Sequence, residues 1–205
     1  MLEKLALISL IVFIGYIIGS FPTGYLVVKF FKGQDIREIG SGSTGATNVK
    51  RLLGKKGFFG VLFFDLFKGM LPVIAARYLE VKFNLFPSLS ILPVLVSLSI
   101  LIGHSKSIFL GFAGGKSVAS GVGTIFGLDW HTGLITAVIW SVITYFSKYV
   151  SLGSVIAVML TGIWMYLLDK PLSYVIYCIA GGLYIVYLHR ENIKRLIAGT
   201  ENKVR

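Results

Sequence analysis

A chain of 205 residues that is 55% hydrophobic, 14% charged and +0.81 in mean hydropathy excludes a soluble globular monomer, which could not hide that much apolar surface. Its single cysteine, Cys178, excludes a disulfide framework, and its net charge of +11 has to be placed on one or the other side of a membrane. What remains is an all-α, polytopic integral membrane protein, read as one membrane-embedded domain over residues 1–205.

Apolar runs that approach or exceed the length needed to cross a hydrocarbon core of about 30 Å lie near residues 5–31, 57–79, 89–103, 117–128, 131–147, 152–168 and 171–188. They predict about seven transmembrane helices, the third and fourth short enough to be tilted or extended into their flanks. The first has no small-residue cleavage site and runs straight into SFPTGYLVVKFF, so it reads as a retained anchor. It ends in Gly19, Ser20, Phe21, Pro22, Thr23 and Gly24, where a proline and two glycines predict a kink that frees backbone carbonyls.

GSGSTGATNVKR follows at 40–51, with three glycines for a compact turn and hydroxyls and Asn48 for directional hydrogen bonds. Arg51 at its end can grip a phosphate in bidentate fashion, so the stretch is read as an anion-binding segment. Asp65 and Lys68, three apart on one face of the second span, pair with each other; of a functional and a bracing role, bracing is favoured. The most informative stretch is 103–123, GHSKSIFLGFAGGKSVASGVG, too polar and glycine-rich for an ordinary span. Gly114 and Gly115 let the backbone turn its N–H groups toward one spot, Lys116 brings a cation there, and Ser117 and Ser120 offer hydroxyls as a helix begins. The P-loop spacing fails, because Leu110 stands where a glycine is required. Ser154 opens the sixth span, where it reads as an N-cap. Beyond the last span, His189, Asn192 and Arg195 recur every third residue and share one helical face.

Charge sets the orientation. Fifteen Lys and Arg residues fall on one side of the seven-span arrangement, from Lys29 to Lys56, at Lys106, Lys116 and Lys148, and from Arg190 to Arg205. Less Asp35, Glu38, Glu191 and Glu201, that side carries the whole +11, and the far side is neutral. By the positive-inside rule it is cytoplasmic and the N-terminus lies outside. Every polar, glycine-rich segment lies on this face, which points to an interfacial enzyme. A transporter or flippase for an organophosphate or lipid phosphate is the alternative, but it needs polar groups at mid-depth and a site on the far side.

The three histidines, His104, His131 and His189, are far apart and no metal-ligand spacing occurs, so no metal is expected. There is no GxSxG elbow, and none of the histidines has an aspartate five residues on, so acyl transfer here needs another base. The cations belong to a membrane face and call for no nucleic acid.

These motifs together, GSFPTGYL at 19–26, GSGSTGATNVKR at 40–51, DLFKG at 65–69, GFAGGKSVASGVG at 111–123 and HRENIKRLIAGTENK at 189–203, resemble the bacterial acyl-phosphate:glycerol-3-phosphate acyltransferase family over nearly the whole chain. This chain has Ser43 where that family usually has Asn, and Ala113 and Ser117 where it has Lys and Gly. The resemblance implies a seven-helix enzyme of the bacterial inner membrane that uses acyl phosphate and glycerol 3-phosphate, with no cofactor. It implies Lys116, Ser154, His189 and Asn192 as the active-site set, Gly114, Gly115 and Ser117 cradling phosphate, and Ser43, Thr47, Asn48 and Arg51 as further polar ligands. An acyl phosphate is already activated, so the alcohol can attack directly with the bound phosphate taking its proton; His189 as general base is the rival. Oligomeric state is not legible.

Overall fold

A computed structural model describes residues 1–204; Arg205, counted above among the cations of the positive face, lies outside the described residues. The described chain is helical throughout, its one β feature an isolated antiparallel bridge between Ser107 and Ala113. The helices are α1 (Leu2–Ser20), α2 (Thr23–Lys32), α3 (Ala46–Lys82), α4 (Ile91–Ser105), α5 (Val118–Leu128), α6 (Trp130–Ser147), α7 (Val150–Leu167), α8 (Leu172–Leu188) and α9 (Arg190–Ile197). Short 3-10 turns occupy Ile36–Glu38 and Ile108–Leu110.

The predicted kink breaks the first span into α1 and α2 at Phe21 and Pro22, where proline has no N–H to continue the ladder. α3 starts eleven residues before the predicted apolar run, so Thr47, Asn48 and Arg51 lie in its first turns; Gly54, at φ 65° and ψ −159°, bends it between this polar part and the apolar part. Taken as one, α1 and α2 cover Leu2–Lys32, and with Ala46–Lys82 and Val150–Leu167 they are long and apolar enough to cross a membrane. The pair α8 and α9, bent by 63°, makes a fourth such unit. α4 and α5 are apolar but short: the 11 residues of α5 rise about 16 Å, half a hydrocarbon core.

Bilayer lipid is as apolar as leucine, so close backbone packing has to hold such helices together. Glycines supply it. A Cβ on Gly69 of α3 would strike the Ser120 carbonyl of α5, and one on Gly123 of α5 would strike the Leu66 carbonyl of α3. Gly19 of α1 meets the Ile100 backbone of α4 in the same way. The main core lies between α3, α4, α5, α7 and α8, and a second cluster, Val28, Ile36, Ala46, Val49 and Val61, joins α2, the turn at Ile36–Glu38 and the first half of α3. Side chains such as Phe13, Phe63, Leu71, Val142 and Ile176 are exposed, as an apolar belt solvated by lipid requires.

Candidate active site

The glycine loop is fixed from below. Ser107 donates its hydroxyl to the carbonyl of Ser20 at 2.5 Å, one of the groups freed by the α1–α2 break, and Tyr16 donates to the Lys106 carbonyl at 2.8 Å. Gly115 donates its N–H to the His104 carbonyl at 3.1 Å. Gly114 and Gly115 are needed for close approach: a Cβ on Gly114 would enter the His104 and Ser105 backbone, and one on Gly115 the His104 ring. This differs from the expected turn, because the positive φ angles of this segment are at Gly111, Phe112 and Ser117. Ser117, at φ 58°, is fully buried and donates its hydroxyl to the Leu101 carbonyl of α4 at 2.7 Å.

Lys116 reaches across to α9 and donates to the Asn192 side-chain oxygen. Burial pushes the Lys116 ammonium below the usual lysine pKa; Arg195 and Arg51 add repulsion, and Glu201 partly offsets it. The glycine loop and α9 with the tail after it, far apart in sequence, therefore meet around one cation, and the charge of Arg51 at the start of α3 also acts on it. The expected face of His189, Asn192 and Arg195 forms. Asn192 donates to Glu201 Oε1 at 2.6 Å and Arg195 to Glu201 Oε2 at 2.7 Å. His189 is buried, with Nδ1 2.8 Å from the Ile185 carbonyl; that contact requires the proton on Nδ1 and leaves Nε2 with its lone pair.

Ser154 is not the expected N-cap. α7 begins at Val150, so Ser154 lies a full turn inside it, donating to the Val150 carbonyl at 2.8 Å and accepting from Trp140 Nε1 at 3.2 Å. In the first segment, Asn48 is buried and holds the loop together: Nδ2 donates to the carbonyls of Ile39 and Ser43 at 2.9 and 3.0 Å, and Oδ1 accepts from Ser41 N and Arg51 at 3.2 Å. Ser43 and Thr47 are half-buried beside the N-terminus of α3, and Arg51 is exposed. Backbone N–H groups at that helix start and the Arg51 guanidinium suit an anion.

Sequence reasoning missed Glu201, whose carboxylate also accepts from Ser151 at 2.8 Å and ties α7 to α9. Its signal was a lone acid six residues beyond Arg195, after Gly199 at φ 69°. Trp140, mid-helix in an apolar span, gave no signal.

The fold and this cluster define a polytopic helical membrane protein in which polar side chains of the glycine loop and of the C-terminal segment gather around one buried lysine. The family model described as glycerol-3-phosphate acyltransferase matches residues 9–199, and the chain belongs to that family. Proteins named glycerol-3-phosphate acyltransferase from Trichormus variabilis and Acaryochloris marina are 45% and 40% identical, over 98% and 96% of this chain and 93% and 92% of theirs. The crystal structure of PlsY (YgiH), described as an integral membrane glycerol 3-phosphate acyltransferase, matches in its glycerol 3-phosphate form with a TM-score of 0.89 at 35% identity, covering 97% of this chain and 96% of that one. Its lysophosphatidic acid form matches with a TM-score of 0.86 at 33% identity, over 97% and 95%. The protein is an acyltransferase.

Proposed function

We propose that the chain moves a fatty acyl group from acyl phosphate to the sn-1 hydroxyl of glycerol 3-phosphate, releasing phosphate and 1-acylglycerol 3-phosphate. One observation carries this reading: Lys116, on a glycine loop, meets Asn192 and lies within electrostatic reach of Arg51, giving one site two cationic segments for two phosphates. The glycerol 3-phosphate and lysophosphatidic acid forms of the solved relatives correspond to the acceptor and the product.

In the reaction the acceptor hydroxyl attacks the acyl carbonyl, the bond from that carbon to the phosphate oxygen breaks, and the hydroxyl proton leaves with the phosphate. No covalent enzyme intermediate is needed. Lys116 neutralises charge growing on the leaving phosphate, while Asn192 and Ser154 set the geometry around it. The free lone pair on His189 Nε2 makes that residue the rival base. Seven crossings place α9, the glycine loop and the start of α3 on the cytoplasmic face of a bacterial inner membrane, with the N-terminus outside and residues 1–205 acting as one domain; the excess of cations there supports this.

The test is phosphate release by purified protein in detergent with palmitoyl phosphate, with and without glycerol 3-phosphate, beside Lys116→Ala. Acceptor-dependent release abolished by the substitution is expected. Release indifferent to acceptor identifies an acyl phosphatase, and no release returns attention to transport, read as uptake into sealed vesicles.

A further inference from the structure

Beneath the glycine loop lies a group of buried polar side chains that the reaction above does not use. Asp65 Oδ1 accepts from Thr23 Oγ1 at 2.9 Å and from Lys68 Nζ at 2.8 Å, and Lys68 also donates to the Phe21 carbonyl at 2.8 Å. The α1–α2 break thus supplies two carbonyls, Ser20 to Ser107 of the loop and Phe21, which also accepts from Thr23 N, to Lys68 of α3. His104, at the end of α4, stands between this group and the loop. Its Nδ1 is buried without a hydrogen-bond partner, 3.9 Å from Asp65 Oδ1, and its ring fills the space under Gly115 that a Cβ would need. Asp65, Lys68 and His104 are each less than a tenth exposed.

We propose that Asp65 and His104 are positioning residues for acyl transfer: Asp65, held by Lys68 and Thr23, orients the His104 ring against Gly115 and so sets where the loop presents Lys116 to phosphate. The inference rests on the reading of residues 114–117 as the cradle of the donor's phosphate. An ion pair that only braced α3 could stand at any depth, whereas this one ends 3.9 Å from the ring that fills the space under Gly115. A buried carboxylate whose one oxygen already serves a hydroxyl and an ammonium is itself held in place, and it forms a fixed wall of the space in which that ring sits.

The experiment measures KM for palmitoyl phosphate, KM for glycerol 3-phosphate and the inhibition constant of inorganic phosphate for His104→Ala and Asp65→Asn, with the active fraction of each preparation. A displaced cradle raises the palmitoyl phosphate KM and the phosphate inhibition constant together, by about tenfold, and leaves the glycerol 3-phosphate KM within about twofold, a split that lost stability alone does not produce. Gly115→Ala and Thr23→Val approach the same contact from its two ends; where a first variant does not fold, they carry the same expectation at smaller size. A lower active fraction with all three constants unchanged overturns the proposal, as does an equal rise for both substrates. Phosphate that fails to inhibit the unsubstituted enzyme would instead overturn the reading of the loop as a phosphate cradle.

Discussion

Lys116 and Asn192 lie 76 residues apart and meet side chain to side chain, the ammonium donating to the amide oxygen while the amide's own N–H group is taken by Glu201. Each end of Asn192 is thereby committed, and the lysine is aimed by α9 as much as by its own loop. Lys116→Met, which keeps the stem and removes the charge, is expected to lower kcat by about a hundredfold to a thousandfold, the scale of losing one group aimed at developing charge. Asn192→Ala leaves the charge but not its aim, so a smaller loss follows. Steady-state phosphate release with palmitoyl phosphate measures both, and a methionine variant of near-normal kcat would remove Lys116 from the chemistry.

Glu201 makes the tail a strap, joined by the hydrogen bond from Val204 N to the Lys148 carbonyl at 2.8 Å. Burial pushes its carboxyl up, but hydrogen bonds from Asn192, Ser151 and Arg195 outweigh that and hold it below the ordinary Glu value of 4.5. A depressed carboxylate stabilises the fold above its unfolded pKa, and that stabilisation is lost as pH falls through the folded one. The melting temperature of the unsubstituted protein should drop more steeply below about pH 4.5 than that of Glu201→Gln, which is already less stable at pH 7, by about 1.5–3 kcal/mol, for the charge-assisted hydrogen bonds it loses. Parallel curves over pH 3–7 would show that Glu201 does not titrate differently in the folded protein, and coincident ones that the strap contributes nothing.

The helices were legible because apolar length and charge asymmetry are properties of single segments. The break at Pro22 could be read for the same reason, and the use of its carbonyls by Ser107 and Lys68 could not, since those partners are 87 and 47 residues away. Lys116 and the face of His189, Asn192 and Arg195 were visible as local patterns. The roles of Gly114 and Gly115 were misread as turn-making because a glycine looks the same in sequence whether it answers a dihedral angle or a neighbour, here the backbone and ring of His104. The N-cap expected at Ser154 failed because α7 starts at Val150, a boundary that the left-handed Lys148 sets with no apolar signal.

Ser117 occupies a left-handed backbone conformation that costs a side-chain-bearing residue about 1–2 kcal/mol, against which its hydrogen bond to the Leu101 carbonyl acts. Ser117→Gly relieves the first and forfeits the second, so kcat within about twofold and a nearly unchanged melting temperature are expected. Ser117→Val has no hydroxyl and puts a β-branched residue where that conformation is an outlier, and it should lose at least tenfold in recovered activity. Equal behaviour of the two variants would mean that the loop relaxes freely around this position.

In the proposed reaction Lys116 works as a cation, and burial together with Arg195 and Arg51 holds its pKa below the ordinary 10.5. Turnover should therefore decline with rising pH before an ordinary lysine would lose its proton. Arg195→Met removes a repelling charge and leaves Glu201 in place, and both changes favour the ammonium, so the alkaline limb should move to higher pH even if the maximum rate falls. Lys116→Arg is the decisive control: a guanidinium does not deprotonate in this range, so its weaker activity should run flat where the lysine enzyme declines. An alkaline limb that survives in Lys116→Arg would belong to some other group, and the shift in Arg195→Met would then need a different cause.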